Sequence, residues 1–277
     1  MRLERERHPA AGSDDPNAIY DEQYYRAGLG PFPYLRDARW LGFFASVADN
    51  LVRIFAPRTA FDAGCAMGML VESLWDRGVA AQGIDVSAYA LSCVRPDMRE
   101  HCRYGSIVAG AEGRFDVVTC IEVLEHLPPE TTAAAVANLC RLADTVVFSS
   151  SPGDFDEPTH VNVRPPLEWV RLFARNGFRA DLAVDATFIA PHALVFRRAD
   201  GYDDGEVEAF VARQAALRTA LGERDKELAD LRTANETASA QTRAREAQVK
   251  AGEANSAAVQ GQLAAVEAQL ESLATQL

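Results

Sequence analysis

The most constraining feature of this 277-residue chain is a glycine-containing turn between an apolar segment and an amphipathic one. Thr59-Ala60-Phe61 leads into Asp62, glycines follow at positions 64 and 68, and the amphipathic segment runs from Met69 to Arg77. This order predicts a strand, a turn and a helix, which together start an α/β fold of the dinucleotide-binding type. Glycine in such a turn lets the backbone approach a ligand that a Cβ would keep away.

A second short apolar run, residues 80–84, ends in an acidic residue. Asp85 lies seventeen residues after Gly68, where a carboxylate can accept hydrogen bonds from both hydroxyls of a ribose. The spacing is Asp-x-Gly-x-x-x-Gly rather than Gly-x-Gly-x-x-Gly, and the Gly-Lys-Ser/Thr of a phosphate-binding loop is missing. The sequence therefore favours a nucleoside ligand without phosphates over NAD or ATP.

A third motif follows in the expected order. Phe115 begins an apolar run that ends in Glu122-Val123-Leu124-Glu125-His126, the pattern of a buried strand followed by a polar turn. Together with the glycine turn about 50 residues earlier, it resembles the class I S-adenosylmethionine-dependent methyltransferases, and the resemblance covers Tyr20 to Arg198. It implies an α/β fold with a doubly wound, mainly parallel seven-stranded sheet, the Rossmann-like methyltransferase fold.

The resemblance also implies S-adenosyl-L-methionine as the cofactor and a set of residues that bind it. The methionine half would lie against Asp62, Gly64, Cys65 and Gly68, the ribose against Asp85 and the adenine against Ser106. Many members of the family carry an acidic residue where this chain has Ser106, so the adenine contact departs most from the family pattern.

Glu122, Glu125 and His126 form an acid–histidine cluster at the end of the predicted fourth strand. Two carboxylates and an imidazole so close together are costly unless something neutralises them, and such ligands suit Mg²⁺ or Mn²⁺. With His160, the cluster resembles the metal site of small-RNA 3′-end 2′-O-methyltransferases. Its Glu-x-x-Glu-His part also resembles ubiquinone-biosynthesis O-methyltransferases. The resemblance implies four metal ligands that hold and polarise the acceptor hydroxyl, namely Glu122, Glu125, His126 and His160.

Acid–base catalysis without a metal is the alternative for the same residues. His126 or His160 would then remove the hydroxyl proton, because an imidazole with an ordinary pKa of about 6.5 exchanges protons near neutral pH. Glu125 would instead cap a helix. The catalytic candidates are His126, His160 and Glu122 in either case, and the residues alone leave both mechanisms open.

The acceptor predicted from the sequence is a sugar hydroxyl of a glycan or glycolipid-linked precursor. Residues 157–162 and 165–169 resemble methyltransferases that accompany bacterial glycan biosynthesis enzymes, which implies glycosyltransferases as partners. An RNA 3′ end is an alternative, although the net charge of −12 and the lack of a Lys/Arg-rich strip argue against nucleic acid. A phenol or quinone is a further alternative, and so is a non-enzymatic oligomeric scaffold that retains the fold.

Bulk composition favours a cytoplasmic protein. No segment reaches the roughly 18 apolar residues of a membrane span, and residues 1–8 are charged and lack the apolar part of a secretion signal. The five cysteines show no Cys-x-x-Cys spacing, so neither a zinc framework nor a disulfide scaffold is indicated.

Three regions are predicted along the chain. Residues 1–17 are polar and are predicted to be disordered, residues 18–200 form the methyltransferase domain, and 20–33 are expected to be loop-like. Strands are expected near 59–63, 80–85, 101–104, 115–121, 144–150, 178–186 and 190–198. Helices are expected near 34–55, 68–78, 87–95, 130–142 and 165–176.

Residues 205–277 are predicted to form a long helix that pairs as a coiled coil. With heptad position a at Val207 and position d at Phe210, both ends of the repeat are apolar and its middle is weak. A single solvated helix, or disorder, is the alternative. The pattern predicts a homo-oligomer, and it reaches the last residue, which leaves open a coil that continues beyond residue 277.

Overall fold

The computed structural model describes residues 15–27, 32–199 and 204–274. The helices are α1 (Pro16–Ile19), α2 (Glu22–Ala27), α3 (Ala38–Phe55), α4 (Met69–Trp75), α5 (Ala88–Ser92), α6 (Thr132–Leu142), α7 (Pro166–Ala174) and α8 (Asp204–Ala274). The strands are β1 (Thr59–Ala63), β2 (Ala80–Asp85), β3 (Cys102–Tyr104), β4 (Val117–Ile121), β5 (Thr145–Ser149), β6 (Phe178–Ala180) and β7 (Leu194–Arg198). Short 3₁₀ helices span Pro96–His101, Leu124–His126 and Pro129–Thr131.

The seven strands form one mixed sheet in the order β3-β2-β1-β4-β5-β7-β6. The first five strands pair in parallel, and β7 runs antiparallel between β5 and β6. This confirms the Rossmann-like methyltransferase fold with a mainly parallel sheet. The ends of parallel β1, β2, β4 and β5 therefore share one edge, and antiparallel β7 begins at that same edge.

Both late strands are shorter than predicted. The expected strand at 178–186 stops at Ala180, because the Asp181 carboxylate accepts a hydrogen bond from the Ala183 amide and turns the chain. The expected strand at 190–198 begins only at Leu194, after a loop whose tight turns include one closed by Ala193 N–H to Ala190 O at 3.0 Å.

Alternating residues of the strands build an apolar layer on each face of the sheet, as the period of two in a strand requires. Ala60 packs into the layer under α3 and α4, with Leu51 and Leu74. Phe61 points the other way, into the layer under α6 and α7, with Leu139 and Phe173. The sheet is thus buried on both faces, and its carboxyl edge is where a ligand has access.

Helix α3 begins at Ala38 rather than at the predicted residue 34. The Asp37 carboxylate accepts hydrogen bonds from the Arg39 and Trp40 amides, which caps the first turn. Because α3 leads back into the start of β1, its first turn lies at the opposite edge of the sheet, beside the ends of the parallel strands.

The predicted N-terminal disorder at 1–17 lies largely outside the described residues. Its last two residues were predicted wrongly, because Pro16 and Asn17 belong to α1, where the Asp15 side chain caps the first turn. The region 20–33, expected to be loop-like, contains α2.

The chain divides into two compact units between Val211 and Ala212. The second unit contains most of α8, and pairing of this helix as a coiled coil stays a prediction. Among the described residues, no helix combines the length and the apolar composition that a membrane span needs.

Candidate active site

One cavity of about 580 Å³ opens at the carboxyl edge of the sheet. Its wall includes Asp62, Gly64 and Cys65 after β1, Asp85 at the end of β2, and Ser106 after β3. The wall continues past β4 with Glu122 and His126, past β5 with Ser149, and on to Ile189 and Ala190 before β7. The volume is typical of a site for a small molecule.

Gly64 is the residue of the turn that most needs to be glycine. Its φ of 87° is in the left-handed region, and a Cβ there would lie 2.3 Å from Val123 Cγ2. Gly68 also has a positive φ, of 68°, but an added Cβ would meet Cys102 Sγ at 3.0 Å. Five of the six predicted cofactor-binding residues line the cavity, and the sixth, Gly68, is the N-cap of α4.

Asp85 orders the backbone at the cavity wall, because both of its carboxylate oxygens accept hydrogen bonds. Oδ2 accepts a hydrogen bond from the Ala66 amide and Oδ1 accepts one from the Ser87 amide, each at 2.8 Å. Burial raises the pKa of this carboxyl, while these backbone amides act in the opposite direction. Each carboxylate oxygen has a second lone pair, so Asp85 can still accept hydrogen bonds from a ligand in the cavity.

Asp62 is a buried acid beside the glycine turn. The Thr119 hydroxyl donates a hydrogen bond of 2.7 Å to its Oδ1. Burial raises the pKa of Asp62 to about 7, the Thr119 hydrogen bond opposes this shift, and the charge of Asp85 adds to it. A cationic group placed in the cavity would favour the ionised carboxylate.

Glu122 adopts an unusual backbone conformation at the end of β4. Its φ of 52° is in the left-handed region, where a residue other than glycine is strained by about 1–3 kcal/mol. His192 Nε2 lies 2.8 Å from Glu122 Oε1 and donates to it, because a carboxylate only accepts. Burial alone would raise the pKa of Glu122, but hydrogen bonding, chiefly to His192, lowers it to about 2.

Glu125, His126 and His160 are brought together, with one potential ligand atom of each within 4.8 Å of the others. The imidazole centres of the two histidines are 4.6 Å apart. His160 Nδ1 lies 2.8 Å from Asp154 O and donates to it, and His126 Nδ1 lies 2.9 Å from Thr159 Oγ1. This geometry leaves the Nε2 atoms of both rings for a ligand.

Glu122 is not part of this three-residue group, and the predicted set of four ligands stays a prediction. Glu125 is fully buried, its Oε1 accepts the Ser151 amide at 3.1 Å, and its Oε2 lacks a hydrogen-bond partner among the described residues. Burial and then the Glu122 charge raise the pKa of Glu125. Burial and then the electrostatic interaction with His160 lower the pKa of His126 to about 3.

Three tyrosines from the N-terminal helices line the cavity from above. Tyr20 makes an edge contact with the His126 ring, with centroids 5.9 Å apart, and its backbone carbonyl accepts the Ser87 hydroxyl at 2.6 Å. Tyr24 and Tyr25 are buried beside it. The segment therefore shields the acid–histidine cluster from water.

The first turn of α3 adds an aromatic wall that the sequence did not mark as part of a site. Trp40, Phe43 and Phe44 line the cavity together with Ile189. Arg39 contributes the sole Lys or Arg side chain among the described residues of the wall, and its guanidinium lies 3.4 Å from the Phe32 ring centroid.

His192 was also missed by sequence reasoning. A histidine just before the last strand carries no motif. A signal was available, however, since an antiparallel last strand must begin at the carboxyl edge of the parallel strands, where ligands bind.

Residues 38–184 match a protein family described as a methyltransferase domain. The chain is 42% identical over 108 residues to the ubiquinone biosynthesis O-methyltransferase of Methylococcus capsulatus, covering 34% of this chain and 44% of the relative. It is 38% identical over 109 residues to the enzyme of the same name from Aromatoleum aromaticum, covering 36% of this chain and 47% of the relative. The chain thus spans less than half the length of these curated relatives.

Among solved structures, the fold is similar to that of mitomycin 7-O-methyltransferase, with a TM-score of 0.48 and 16% identity. The match covers 69% of this chain and 60% of the other. The names of the curated relatives refer to ubiquinone biosynthesis. They give no support to the glycan acceptor or the glycosyltransferase partners predicted from the sequence.

Proposed function

The chain belongs to this family of methyltransferase domains, and we propose that it transfers a methyl group from S-adenosylmethionine to a hydroxyl oxygen of a small aromatic acceptor. One observation carries the proposal. A single cavity joins the glycine turn and Asp85 to Glu122 and His126 at the same sheet edge. Methyl transfer needs the donor and the acceptor oxygen to be held in line, and such a cavity can hold both.

The residues on the β1–β3 side fit S-adenosylmethionine, which supplies an electrophilic methyl on a sulfonium when bound. Asp85 would accept hydrogen bonds from the ribose, and Ser106 would lie beside the adenine. The backbone at Gly64 and Cys65 would face the methionine part, because a Cβ at Gly64 has no room. Arg39 would pair with the methionine carboxylate, and Asp62 would face the positive charge.

The aromatic wall supports a planar, apolar acceptor rather than a sugar. Trp40, Phe43 and Ile189 offer carbon surface and few hydrogen bonds, whereas a sugar needs a partner for each buried hydroxyl. Aromatic rings pack well against aromatic rings in offset or edge-on geometry. The names of the curated relatives, which refer to a small-molecule pathway, agree with this choice.

The acceptor hydroxyl would be oriented by Glu122 and His126. Both line the cavity, and their low pKa values mean that at neutral pH one is a carboxylate and the other a neutral imidazole. Each can therefore accept a hydrogen bond from the hydroxyl and orient its oxygen. The tyrosines of α2 would exclude water that competes for the methyl group.

A divalent cation also fits the three-residue group. The imidazoles of His126 and His160 and the Glu125 carboxylate form a two-histidine, one-carboxylate donor set. The Nδ1 contacts with Asp154 and Thr159 orient the rings in the manner common around metal ligands. Of the three residues, His126 lines the cavity, so a cation held there would act as a Lewis acid on an acceptor oxygen beside His126. Glu122 lies outside this three-residue group, and its Oε1 pairs with His192.

Transfer of labelled methyl to catechol and to a methyl glucoside tests the function. We expect catechol to be methylated and the glucoside not. Asp85→Ala should weaken S-adenosylhomocysteine binding by about 1–3 kcal/mol, because it removes the ribose partner. Asp49→Ala, at an exposed aspartate that pairs with Arg77, serves as the matched control.

Two outcomes would contradict this reading. A wild-type protein that binds no S-adenosylhomocysteine in calorimetry would reject methyl transfer by this fold. Methylation of the glucoside without methylation of catechol would restore the glycan acceptor.

The affinity for S-adenosylmethionine should depend on pH through Asp62. The free protein carries a proton on this carboxyl below about pH 7, and the cationic ligand requires the ionised form. Binding must then release a proton, so the affinity should fall by up to about tenfold per pH unit below 7. Calorimetry in buffers of different ionisation enthalpy measures the number of protons released on binding. In Asp62→Asn the release should vanish, and an unchanged release would assign it to another group.

We also propose that α8 pairs with the same helix of a second copy of the chain. Among the α8 side chains that the structure describes, six large apolar ones are exposed, namely Leu217, Leu228, Leu231, Val249, Val259 and Leu263. All six fall on the predicted heptad positions a or d, so they form one stripe that an identical helix can cover. A parallel, in-register pair would also set Asn235 against Asn235 and Glu227 against Arg232.

Sedimentation of two full-length variants tests this pairing. The double substitution Leu228→Asp with Leu231→Asp should convert a dimer into a monomer, because it places charge at adjacent a and d positions. Ala240→Asp changes an exposed f position to the same residue and should leave the dimer intact. A monomeric wild type would show that the heptad pattern was misread.

A further inference from the structure

His192 connects two parts of the cavity that come from distant segments of the chain. It lies 70 residues from Glu122 in the sequence, yet its Nε2 is 2.8 Å from Glu122 Oε1. Its side chain is 22% exposed, and of the two residues it is Glu122 that lines the cavity. His192 therefore acts on a ligand only through Glu122.

The loop that carries His192 also carries part of the acceptor wall. Ile189 and Ala190 line the cavity two and three residues before it. Successive turns hold the segment together, with Ile189 N–H donating to Ala186 O and Ala193 N–H donating to Ala190 O, both at 3.0 Å. The contact to Glu122 thus attaches this wall segment to the end of β4.

Glu122 needs such a support because its own backbone is strained. Its φ of 52° directs the side chain differently from that of an ordinary strand residue, and a carboxylate on such a residue has several rotamers open to it. A hydrogen bond to one oxygen selects one rotamer. The selected rotamer places the Glu122 carboxylate where the hydroxyl oxygen of an acceptor would have to be aligned with the methyl donor.

We infer that His192 is a positioning residue for methyl transfer, which aligns Glu122 with the acceptor hydroxyl and joins it to the Ile189–Ala190 wall. The inference rests on the proposed function, because it assumes a hydroxyl acceptor in that part of the cavity. It assigns His192 no contact with the cofactor. The ribose and adenine residues lie after β2 and β3, on the other side of β1 from β4.

Three substitutions of His192 in the 277-residue chain distinguish a positioning role of this residue from a packing role. In His192→Leu, kcat for catechol should fall by about 100-fold, the loss expected from a misplacement of about 1 Å, while the acceptor KM changes less. His192→Gln should recover most of the rate, because its amide nitrogen reaches about as far as Nε2. His192→Asn carries the same amide one methylene shorter and should not recover it.

Cofactor affinity and a remote histidine provide the controls. S-adenosylhomocysteine should bind all three variants as it binds wild type. His101→Gln should keep wild-type kinetics, since His101 stacks on Trp75 with ring centroids 4.4 Å apart, outside the cavity.

The inference and the proposed function fail in different ways. Wild-type kinetics in His192→Leu would overturn the inference alone. So would equal losses in the Gln and Asn variants with a parallel loss of cofactor affinity, which is the result of a structural role. A wild type that binds S-adenosylhomocysteine but methylates neither catechol nor a sugar would overturn the proposed function, and the inference with it.

Discussion

Gly64→Ala should abolish detectable binding of S-adenosylhomocysteine while the protein remains folded. The new Cβ would lie 2.3 Å from Val123 Cγ2, and the φ of 87° is unfavourable for alanine by about 1–2 kcal/mol. The clash can be relieved if the turn moves into the space that the methionine part would occupy, or if Val123 shifts beside Glu122. Calorimetry measures the affinity, and circular dichroism during heating measures the stability.

Gly42→Ala is the matched control, because it makes the same chemical change at a helical position with nothing within 4 Å of the new Cβ. It should raise the thermal midpoint, since alanine favours a helix over glycine by about 1 kcal/mol. If Gly64→Ala binds the cofactor as tightly as Gly42→Ala does, the turn is not a cofactor contact.

Treatment with EDTA should distinguish a metal-binding role of the acid–histidine cluster from acid–base catalysis without a metal. If a cation is held by Glu125, His126 and His160, EDTA should lower turnover by about 100-fold and leave S-adenosylhomocysteine binding unchanged. Added Mg²⁺ or Mn²⁺ should restore the rate. This is the expected result, because among the described residues Glu125 Oε2 has no hydrogen-bond partner and both imidazoles make their hydrogen bonds through Nδ1.

His160→Gln should reproduce the effect of EDTA without affecting cofactor affinity, and His101→Gln should not. Full turnover in EDTA would contradict the metal site and assign the hydroxyl proton to His126 or Glu122 instead. Loss of cofactor binding together with turnover would show that EDTA or the substitution had disturbed the fold rather than the acceptor site.

The sequence predicted correctly those features that depend on residues close together in the chain. The strands β1, β2, β4 and β5 alternate or run apolar between turn residues, so their existence and order follow from periodicity. The turn at Gly64 was predicted because glycine tolerates a positive φ and leaves room for a ligand. Asp85 was predicted because its distance from that turn is set by one helix and one strand.

Prediction from the sequence was less successful for strands β6 and β7 and for the acceptor. Strands β6 and β7 are shorter than their apolar runs, since the turn at Asp181 ends one and the turns around residue 190 delay the other. The aromatic residues of the first turn of α3 looked like ordinary core positions. Their place at the cavity depends on where α3 crosses the sheet edge, which a helical period does not encode.

The sequence by itself determined the α/β order, the glycine turn and the chemical types gathered at the sheet edge, because these are set by residues close together in the chain. Tertiary structure alone decided which partners the charged groups have. Glu122 pairs with His192 across 70 residues, Glu125 is fully buried, and burial raises the pKa of Asp62 to about 7. Pairing and burial are properties of three-dimensional distance, and the dielectric that shifts a pKa exists only once the sheet is packed on both faces.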